Sequence, residues 1–207
     1  MILMKSRRMQ ITGNMHLRLN WLLALLLATP VAAADFASIK AKRPELFHPK
    51  TGYRIDRQRS PTPHDIPAPA KGITAVEAAA LLETGAIAID VFGANQSRYD
   101  ELDGTWLVKD PRQSLPNAVW LPEVGRGVLS DEMQAYFAQN LADLTEGDTS
   151  RALILFCVAD CWMSWNAAQR ATTLGYKDVN WFRLGTDGWL DEGFELAPVN
   201  PVPVNVD

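Results

Sequence analysis

Short unbroken apolar runs along the chain predict buried strands. They are AIAIDVF, which ends as a strand at Asp90, the segment between Pro116 and Pro122, LILF at Leu153–Phe156, and DVNWF. Runs of about four to eight apolar residues bounded by turn residues are typical of strands that are covered on both faces. We therefore expect these segments to form the centre of a sheet.

Segments with the apolar period of a helix lie between these runs. Residues 73–84 begin with the capping-box pair Thr74 and Glu77, and residues 130–144 begin with Ser130 as an N-cap. The face predicted to be buried consists of Ala78, Leu81 and Leu82 in the first helix and Met133, Phe137, Leu141 and Leu144 in the second. The segment LGTDGW predicts a turn into a short further helix.

The alternation of helices and strands predicts an α/β fold. We expect one domain over residues 72–197, with a central parallel sheet flanked by helices. Residues 35–71 are rich in proline and show no helical or strand period, which predicts an extended arm, and residues 198–207 form a proline-rich tail.

The arm carries residues with more than one possible role. Phe47, Tyr53 and Ile55 could attach it to the domain. The arginines form either a solvated basic face or a binding edge for an acidic partner, and the two histidines are interpreted as surface residues; these are Arg54, Arg57, Arg59, His48 and His64.

Residues 1–34 differ from the rest of the chain. Basic residues precede a short apolar run, and Ala32–Ala34 offer small side chains for cleavage before Asp35. This is the pattern of a secretory signal peptide, with either Met1 or Met15 as the start. The alternatives are a membrane anchor or a buried helix, although the run is short for a membrane span.

Cleavage would change the charge of the protein. It removes four basic residues and no acidic ones, so the formal net charge of −4 becomes −8. An acidic mature protein argues against nucleic acid and anionic lipid as partners, and no membrane span is expected after cleavage. Export would place the cysteines in an oxidising compartment, where a disulfide can persist.

The only two cysteines, Cys157 and Cys161, lie in one loop. The loop follows the strand at Leu153–Phe156 and precedes a predicted helix that Ser164 caps and Gly175 ends, with Ala167, Ala168, Ala171 and Leu174 on one face. Because backbone N–H groups and the helix dipole converge there, this geometry favours a thiolate.

Four segments in this order resemble the rhodanese-like family. They are ITAVEAAALLETGAIAIDVF, SLPNAVWLP, FCVADCWMSWNAAQRATTLGYKDV and LGTDGW, which together cover most of residues 72–192. The resemblance places Cys157 on the catalytic cysteine of the family, which becomes a persulfide in sulfur-transferring members. It implies a sulfurtransferase or a related thiol enzyme.

The segment DCWMSWNAA on an exported chain resembles more narrowly the PQQ-dependent catabolism-associated CXXCW motif proteins. This chain has three residues between its cysteines where the family name specifies two. The resemblance implies a periplasmic accessory of alcohol oxidation by pyrroloquinoline-quinone (PQQ) enzymes, with a dehydrogenase or cytochrome as a possible partner. It implies a pathway association with PQQ and no cofactor bound by this chain.

The loop departs from the sulfurtransferase pattern. Asp160 stands where glycine is usual, and no Arg or Lys lies between Cys157 and Gln169, so the carboxylate opposes thiolate formation and repels thiosulfate. Met163 stands where a cysteine phosphatase needs arginine. Arg170 is interpreted as a surface residue.

Cys161 could resolve a persulfide or sulfenate at Cys157 as a reducible, exposed disulfide. The pair could instead bind a soft metal, but two thiolates without a nearby histidine form an incomplete site, so no metal is assigned.

Several neighbours have two possible roles. Asp90 could lie at the site or tie the loop after its strand, and Trp162 and Trp165 could pack the loop or form an aromatic wall for a ligand. Asp187 and Trp189 could be a turn cap and a core anchor. The residues predicted for the loop and pocket are Asp160, Trp162, Ser164, Asp90 and Asp187.

Three classes of function remain open. The first is a thiol enzyme, either a sulfurtransferase or a dithiol oxidoreductase. The second is a binding accessory that recruits a dehydrogenase or cytochrome, or carries a cofactor. The third is a non-catalytic domain with a structural disulfide.

Overall fold

The computed structural model describes residues 34–94 and 98–205, which belong to one compact unit. The helices are α1 (Phe36–Lys42), α2 (Ala75–Glu83), α3 (Asp131–Thr145), α4 (Trp162–Thr173) and α5 (Gly185–Asp191). The strands are β1 (Lys71–Ile73), β2 (Ile87–Asp90), β3 (Arg112–Ser114), β4 (Val119–Trp120), β5 (Leu153–Phe156), β6 (Val179–Phe182) and β7 (Ala197–Val199). The predicted signal peptide lies outside the described residues, apart from Ala34.

Five strands form one parallel sheet in the order β1-β6-β5-β2-β4. This confirms the predicted α/β class and its central parallel sheet. The register pairs Asp90 with Phe156 and Phe156 with Phe182, so β2, β5 and β6 end level with one another. The loops that follow these strands therefore meet at one edge of the sheet.

Helices cover both faces of the sheet. Successive residues of β5 alternate between two apolar clusters: Leu153 and Leu155 pack with α3 and α4, whereas Ile154 and Phe156 pack with α2 and α5. This alternation follows from the period of two in a strand. All four β5 side chains are fully buried, which explains why the strand reads as an unbroken apolar run.

Local signals predict the starts of α2 and α3. Thr74 and Glu77 form the predicted capping box of α2, and Ser130 accepts a hydrogen bond from the backbone N–H of Met133 at the start of α3. Gly175, with φ of +98°, follows α4 as predicted. Leu174, predicted to be buried, is 42% exposed, because it lies at the end of the helix, beyond the face that packs on the sheet.

The arm is more ordered than its proline content suggests. It contains α1, for which Asp35 accepts the backbone N–H of Ser38, and a short 3-10 turn at Pro44–Leu46. Phe36 stacks on Trp165 with ring centroids 4.5 Å apart. The expectation of an extended arm without helix is wrong here, because packing on the domain stabilises these short turns. Phe47 is buried as expected, whereas Ile55 is exposed.

The C-terminal tail also contacts the domain. β7 pairs antiparallel with β3, and the backbone N–H of Val204 donates to the carbonyl oxygen of Gly104 at 2.9 Å. Val204 is buried. The proline-rich residues after β7 are therefore part of the folded unit as far as residue 205.

Candidate functional site

The cysteine loop, residues 157–161, connects β5 to α4 at the carboxyl edge of the sheet. Cys157 directly follows β5, and Cys161 is the N-cap of α4. The two sulfurs are joined as a disulfide, with Cα atoms 6.3 Å apart. The predicted pairing of the only two cysteines is therefore present in the structure.

Both cysteines are buried, Cys157 completely and Cys161 to all but 2%. The expectation of an exposed disulfide is wrong because two segments cover the loop. The turn at Gly185 approaches so closely that a Cβ there would lie 2.2 Å from the carbonyl oxygen of Cys157. That carbonyl accepts a hydrogen bond of 3.0 Å from the backbone N–H of Thr186.

Ser164 does not cap the helix as predicted. The helix begins earlier, at Trp162, since Cys161 adopts the extended N-cap conformation with φ of −118° and ψ of 106°. The buried hydroxyl of Ser164 donates to the carbonyl oxygen of Cys161 at 3.0 Å and accepts from the indole N–H of Trp181 at 3.0 Å. The N-terminal end of the helix dipole thus lies at Cys161, four residues beyond Cys157.

The second covering segment comes from the arm. The backbone of Arg59 pairs with that of Cys161, the N–H of Trp162 donates to the carbonyl of Gln58 at 2.9 Å, and the N–H of Ser60 donates to the carbonyl of Asp160 at 3.0 Å. The Arg59 guanidinium also donates to the Ala159 carbonyl at 2.9 Å. The loop sequence itself contains no cation, but this arginine from a distant part of the sequence lies against it.

Asp160 is exposed and has a φ of +52°. This left-handed conformation favours glycine and tolerates aspartate and asparagine better than other side chains. Asp187 lies on α5 and accepts the backbone N–H of Ala159 at 2.8 Å. It thus holds the middle of the loop, and it does not act as a turn cap.

Asp90 is completely buried at the end of β2 and is tied to three donors. Its carboxylate accepts from the Arg112 guanidinium at 2.9 Å, the Ser114 hydroxyl at 2.6 Å and the Phe92 backbone N–H at 2.9 Å. Burial raises the pKa of Asp90, and Arg112 opposes that shift. Asp90 therefore ties the loop after its strand, one of its two predicted roles, through partners on β3 that the sequence did not indicate.

The tryptophans of the loop pack against the arm. Trp162 is fully buried and Trp165 nearly so, and the Arg54 guanidinium lies 5.0 Å from the ring centroids of both Phe47 and Trp162. These rings therefore have the packing role and do not form a wall open to a ligand. Arg54 itself is buried, with its backbone held by the Asn166 side chain through two hydrogen bonds of 2.9 Å.

Arg170 is buried and not at the surface, so that expectation is wrong. Its guanidinium donates to the carbonyl oxygens of Val124 and Arg126 and lies 4.7 Å from the Tyr53 ring. The two carbonyls belong to the chain after β4, which the sequence did not place beside α4. Arg170 thus fixes the segment that carries Glu123 and Arg126.

A cavity of about 750 Å³ lies beside the disulfide. Of the described residues that the sequence assigned to the loop and its pocket, only Cys161 lines this cavity. The wall is built by the arm, the loop after β2, the segment after β4 and the start of α4; its residues are Ile55, Asp56, Arg57, Gln58, Arg59, Ser60, Phe92, Gly93, Ala94, Glu123, Arg126, Cys161 and Met163. The three arginines outnumber the two carboxylates, so the wall carries a net positive charge.

Little in the sequence indicates this wall. Arg57 and Arg59 are predicted only as a basic face or an edge for an acidic partner, and no sequence pattern singles out Glu123 and Arg126. Arg126 donates to Glu123 at 2.5 Å and to the Gln58 side chain at 2.8 Å. The repeated arginines of the arm are the one available signal, and their position beside the cysteines depends on tertiary packing.

No protein-family model and no curated protein matches the chain. In residues 34–94 and 98–205, no group of three or more His, Cys, Asp or Glu side chains is placed to hold a metal ion. Each helix within these ranges is too short or too polar to span a bilayer.

Proposed function

We propose that the protein is an exported, rhodanese-like thiol protein whose Cys157–Cys161 pair cycles between disulfide and dithiol. The observation that carries the proposal is the position of this disulfide. It lies at the carboxyl edge of a parallel sheet, where α/β proteins bind ligands, and one of its cysteines lines a cavity. The reaction class is thiol–disulfide exchange.

The size of the ring favours exchange over a purely structural bond. The bond joins cysteines only four positions apart. Closing so short a loop restricts the unfolded chain little, which corresponds to about 2 kcal/mol in the chain-entropy model. The fold also has an extensive core of its own on both faces of the sheet.

Sulfurtransfer is the less favoured chemistry for this pair. A persulfide needs a free and accessible sulfur at Cys157, whereas in the disulfide state that sulfur is bonded to Cys161 and Cys157 is fully buried. Cys157 is also not among the residues that line the cavity. An efficient thiosulfate:cyanide sulfurtransferase activity of the purified protein would therefore contradict the proposal.

The family resemblance supplies the biological setting of the proposal. It suggests a periplasmic accessory of PQQ-dependent alcohol oxidation, with a dehydrogenase or cytochrome as partner. Deleting the gene should then impair growth of the native host on alcohols oxidised by such enzymes, while growth on sugars continues. Mass spectrometry of the protein from that host should find a new N-terminus near Asp35.

A second candidate is a non-catalytic binding module with a structural disulfide. The observation that favours it is the burial of both cysteines. It predicts a bond that resists mild dithiols and whose loss greatly lowers stability. The redox function predicts easy reduction and a small change in stability.

Transfer of the disulfide tests the proposal directly. The oxidised protein is mixed with an excess of a reduced dithiol peptide, and both are followed by mass spectrometry after thiol blocking. We expect up to one peptide disulfide to form per protein molecule, and none with Cys157→Ser or Cys161→Ser. A wild-type protein that transfers no disulfide would refute the function, while Lys50→Ala, an exposed change outside the cavity, serves as a control.

A further inference from the structure

The two cysteines differ in their access to the cavity. Cys161 lines it together with Met163, whereas Cys157 does not. Cys157 is fully buried, and the turn at Gly185 and the N–H of Thr186 contact its carbonyl oxygen. A thiol that arrives through the cavity therefore contacts Cys161 before Cys157.

We propose that Cys161, and not Cys157, is the cysteine that exchanges with an external thiol, and that this thiol carries a carboxylate and enters through the cavity. This inference rests on the redox function proposed above. It reverses the roles that the family resemblance implies, in which Cys157 is the reacting cysteine and Cys161 resolves it.

The start of α4 supports this assignment. Cys161 is the N-cap of a 12-residue helix and its side chain makes no capping hydrogen bond, while the first N–H of the helix, that of Trp162, donates to the Gln58 carbonyl. A thiolate released at Cys161 would lie at the positive end of the helix dipole, which favours a negative charge. Cys157 lies four residues before the N-cap of α4 and is not part of the helix terminus.

The charges at the wall indicate the kind of thiol. Arg126 and Glu123 pair with each other, and the remaining charges of the wall are Arg57, Arg59 and Asp56; Arg57 also interacts electrostatically with Glu45, outside the wall. Both Arg57 and Arg59 are exposed, and the Arg59 guanidinium uses one donor on the Ala159 carbonyl. Guanidinium groups bind carboxylates with good geometry, and Asp160, the carboxylate of the cysteine loop, does not line the cavity, so a thiol with a carboxylate is favoured over a cationic one.

Two external thiols supply all the electrons that reduction of the Cys157–Cys161 disulfide requires. An external thiolate attacks the sulfur of Cys161, the Cys157–Cys161 bond breaks, and its electron pair leaves on Cys157, which takes up a proton. A second external thiolate then attacks the external sulfur of the mixed disulfide and releases Cys161 as a thiolate. Two external thiols become one disulfide, and the cysteine pair of the protein gains two electrons.

Single-cysteine variants of the full chain test which sulfur exchanges. Cys157→Ser keeps only Cys161, and Cys161→Ser keeps only Cys157. Each variant is mixed with glutathione disulfide, and formation of the mixed disulfide is followed by intact mass, with circular dichroism to confirm folding. We expect Cys161 to react at least about tenfold faster than Cys157. Equal rates, or faster reaction of Cys157, would overturn the assignment.

A second comparison tests the charge of the thiol. In the Cys157→Ser background, Arg57→Gln with Arg59→Gln should slow the reaction with anionic glutathione disulfide several-fold and not slow that with cationic cystamine. Lys50→Gln, an exposed cation that does not line the cavity, is the matched control. Equal slowing of both reagents, or of neither, would refute the preference for a carboxylate.

The experiments distinguish a wrong assignment to Cys161 from a wrong redox function. If the wild-type disulfide exchanges with no thiol, the redox function itself is wrong. If the wild type exchanges and Cys157 forms the mixed disulfide, only the assignment to Cys161 is wrong.

Discussion

The guanidinium of Arg59 donates a hydrogen bond of 2.9 Å to the carbonyl oxygen of Ala159, the middle residue of the cysteine loop. The two residues are 100 positions apart in the sequence. The two neighbours of Arg59 in the arm also bond to this region: the Gln58 carbonyl accepts from the N–H of Trp162, and the Ser60 N–H donates to the carbonyl of Asp160. The arm is thus part of the site and covers the disulfide.

Arg59→Ala should loosen the cysteine loop. Loss of this partly exposed, charge-assisted hydrogen bond should lower the free energy of unfolding by about 1 kcal/mol. It should also speed reduction of the disulfide by a dithiol, because the loop is then held less firmly. Urea unfolding and thiol labelling measure the two effects, with Lys50→Ala as the control; unchanged stability and an unchanged reduction rate would show that the contact does not hold the loop.

Asp160 should tolerate glycine and reject a β-branched residue, since its φ is +52°. Asp160→Val should cost about 1–2 kcal/mol because valine is disfavoured in the left-handed region. Asp160→Gly should stay within about 0.5 kcal/mol of the wild type, since relief of the conformation offsets the larger entropy of glycine in the unfolded chain.

Urea unfolding of the oxidised proteins checks this expectation. Lys109→Val, at an exposed position without a positive φ, is the control. A valine variant at position 160 as stable as the wild type would mean that the loop does not hold this conformation in solution.

The Asp90–Arg112 pair should behave as a coupled unit. Asp90 is fully buried and the Arg112 side chain is only 12% exposed, so Asp90→Ala leaves a largely buried charge without its carboxylate. We expect a loss of about 3 kcal/mol or more. Adding Arg112→Met should cost much less than the sum of the two single changes. Additive losses in urea unfolding would show that the pair is not coupled.

The capping box of α2 should contribute a pH-dependent part of the stability. The backbone N–H and the hydroxyl of Thr74 donate to Glu77 and lower its pKa below the ordinary 4.5. Because the pKa in the folded state is lower, the stabilisation is complete above the unfolded pKa and is lost as the pH falls through the folded value.

The advantage of the wild type over Glu77→Gln in urea unfolding should therefore shrink as the pH falls from about 6 to about 3. Thr84→Ala, at the other end of the same helix, is a control whose effect should not change with pH in this way. A stability difference between the wild type and the Glu77→Gln variant that is independent of pH would contradict the assigned role.

The parts of the fold that local sequence signals determine could be predicted. The apolar run Leu153–Phe156 and the caps at Thr74 and Ser130 depend on neighbouring residues, and all three appear where expected. The predicted start of α4 is wrong because Ser164 is a strong capping residue by type, while Cys161 takes the N-cap conformation and Ser164 is buried against Trp181.

The surroundings of the cysteines could not be predicted from local signals. Arg59, Arg126 and Arg170 reach the site only after the arm and the segment after β4 pack on α4. Charged residues are usually solvated, and nothing near these arginines in the sequence indicates the burial of Arg170 or the contacts of Arg59 and Arg126. The cavity therefore depends on the tertiary structure.

The reduction potential of the Cys157–Cys161 pair tests the central claim most directly. The protein is equilibrated in dithiol–disulfide buffers of known potential, and its two redox states are separated after thiol labelling. Structural disulfides of exported proteins typically lie below about −300 mV, and a pair that exchanges in function should lie above that value. A potential clearly above about −300 mV, with little loss of stability on reduction, is the predicted result. A potential below it, with a large loss of stability, would contradict the account.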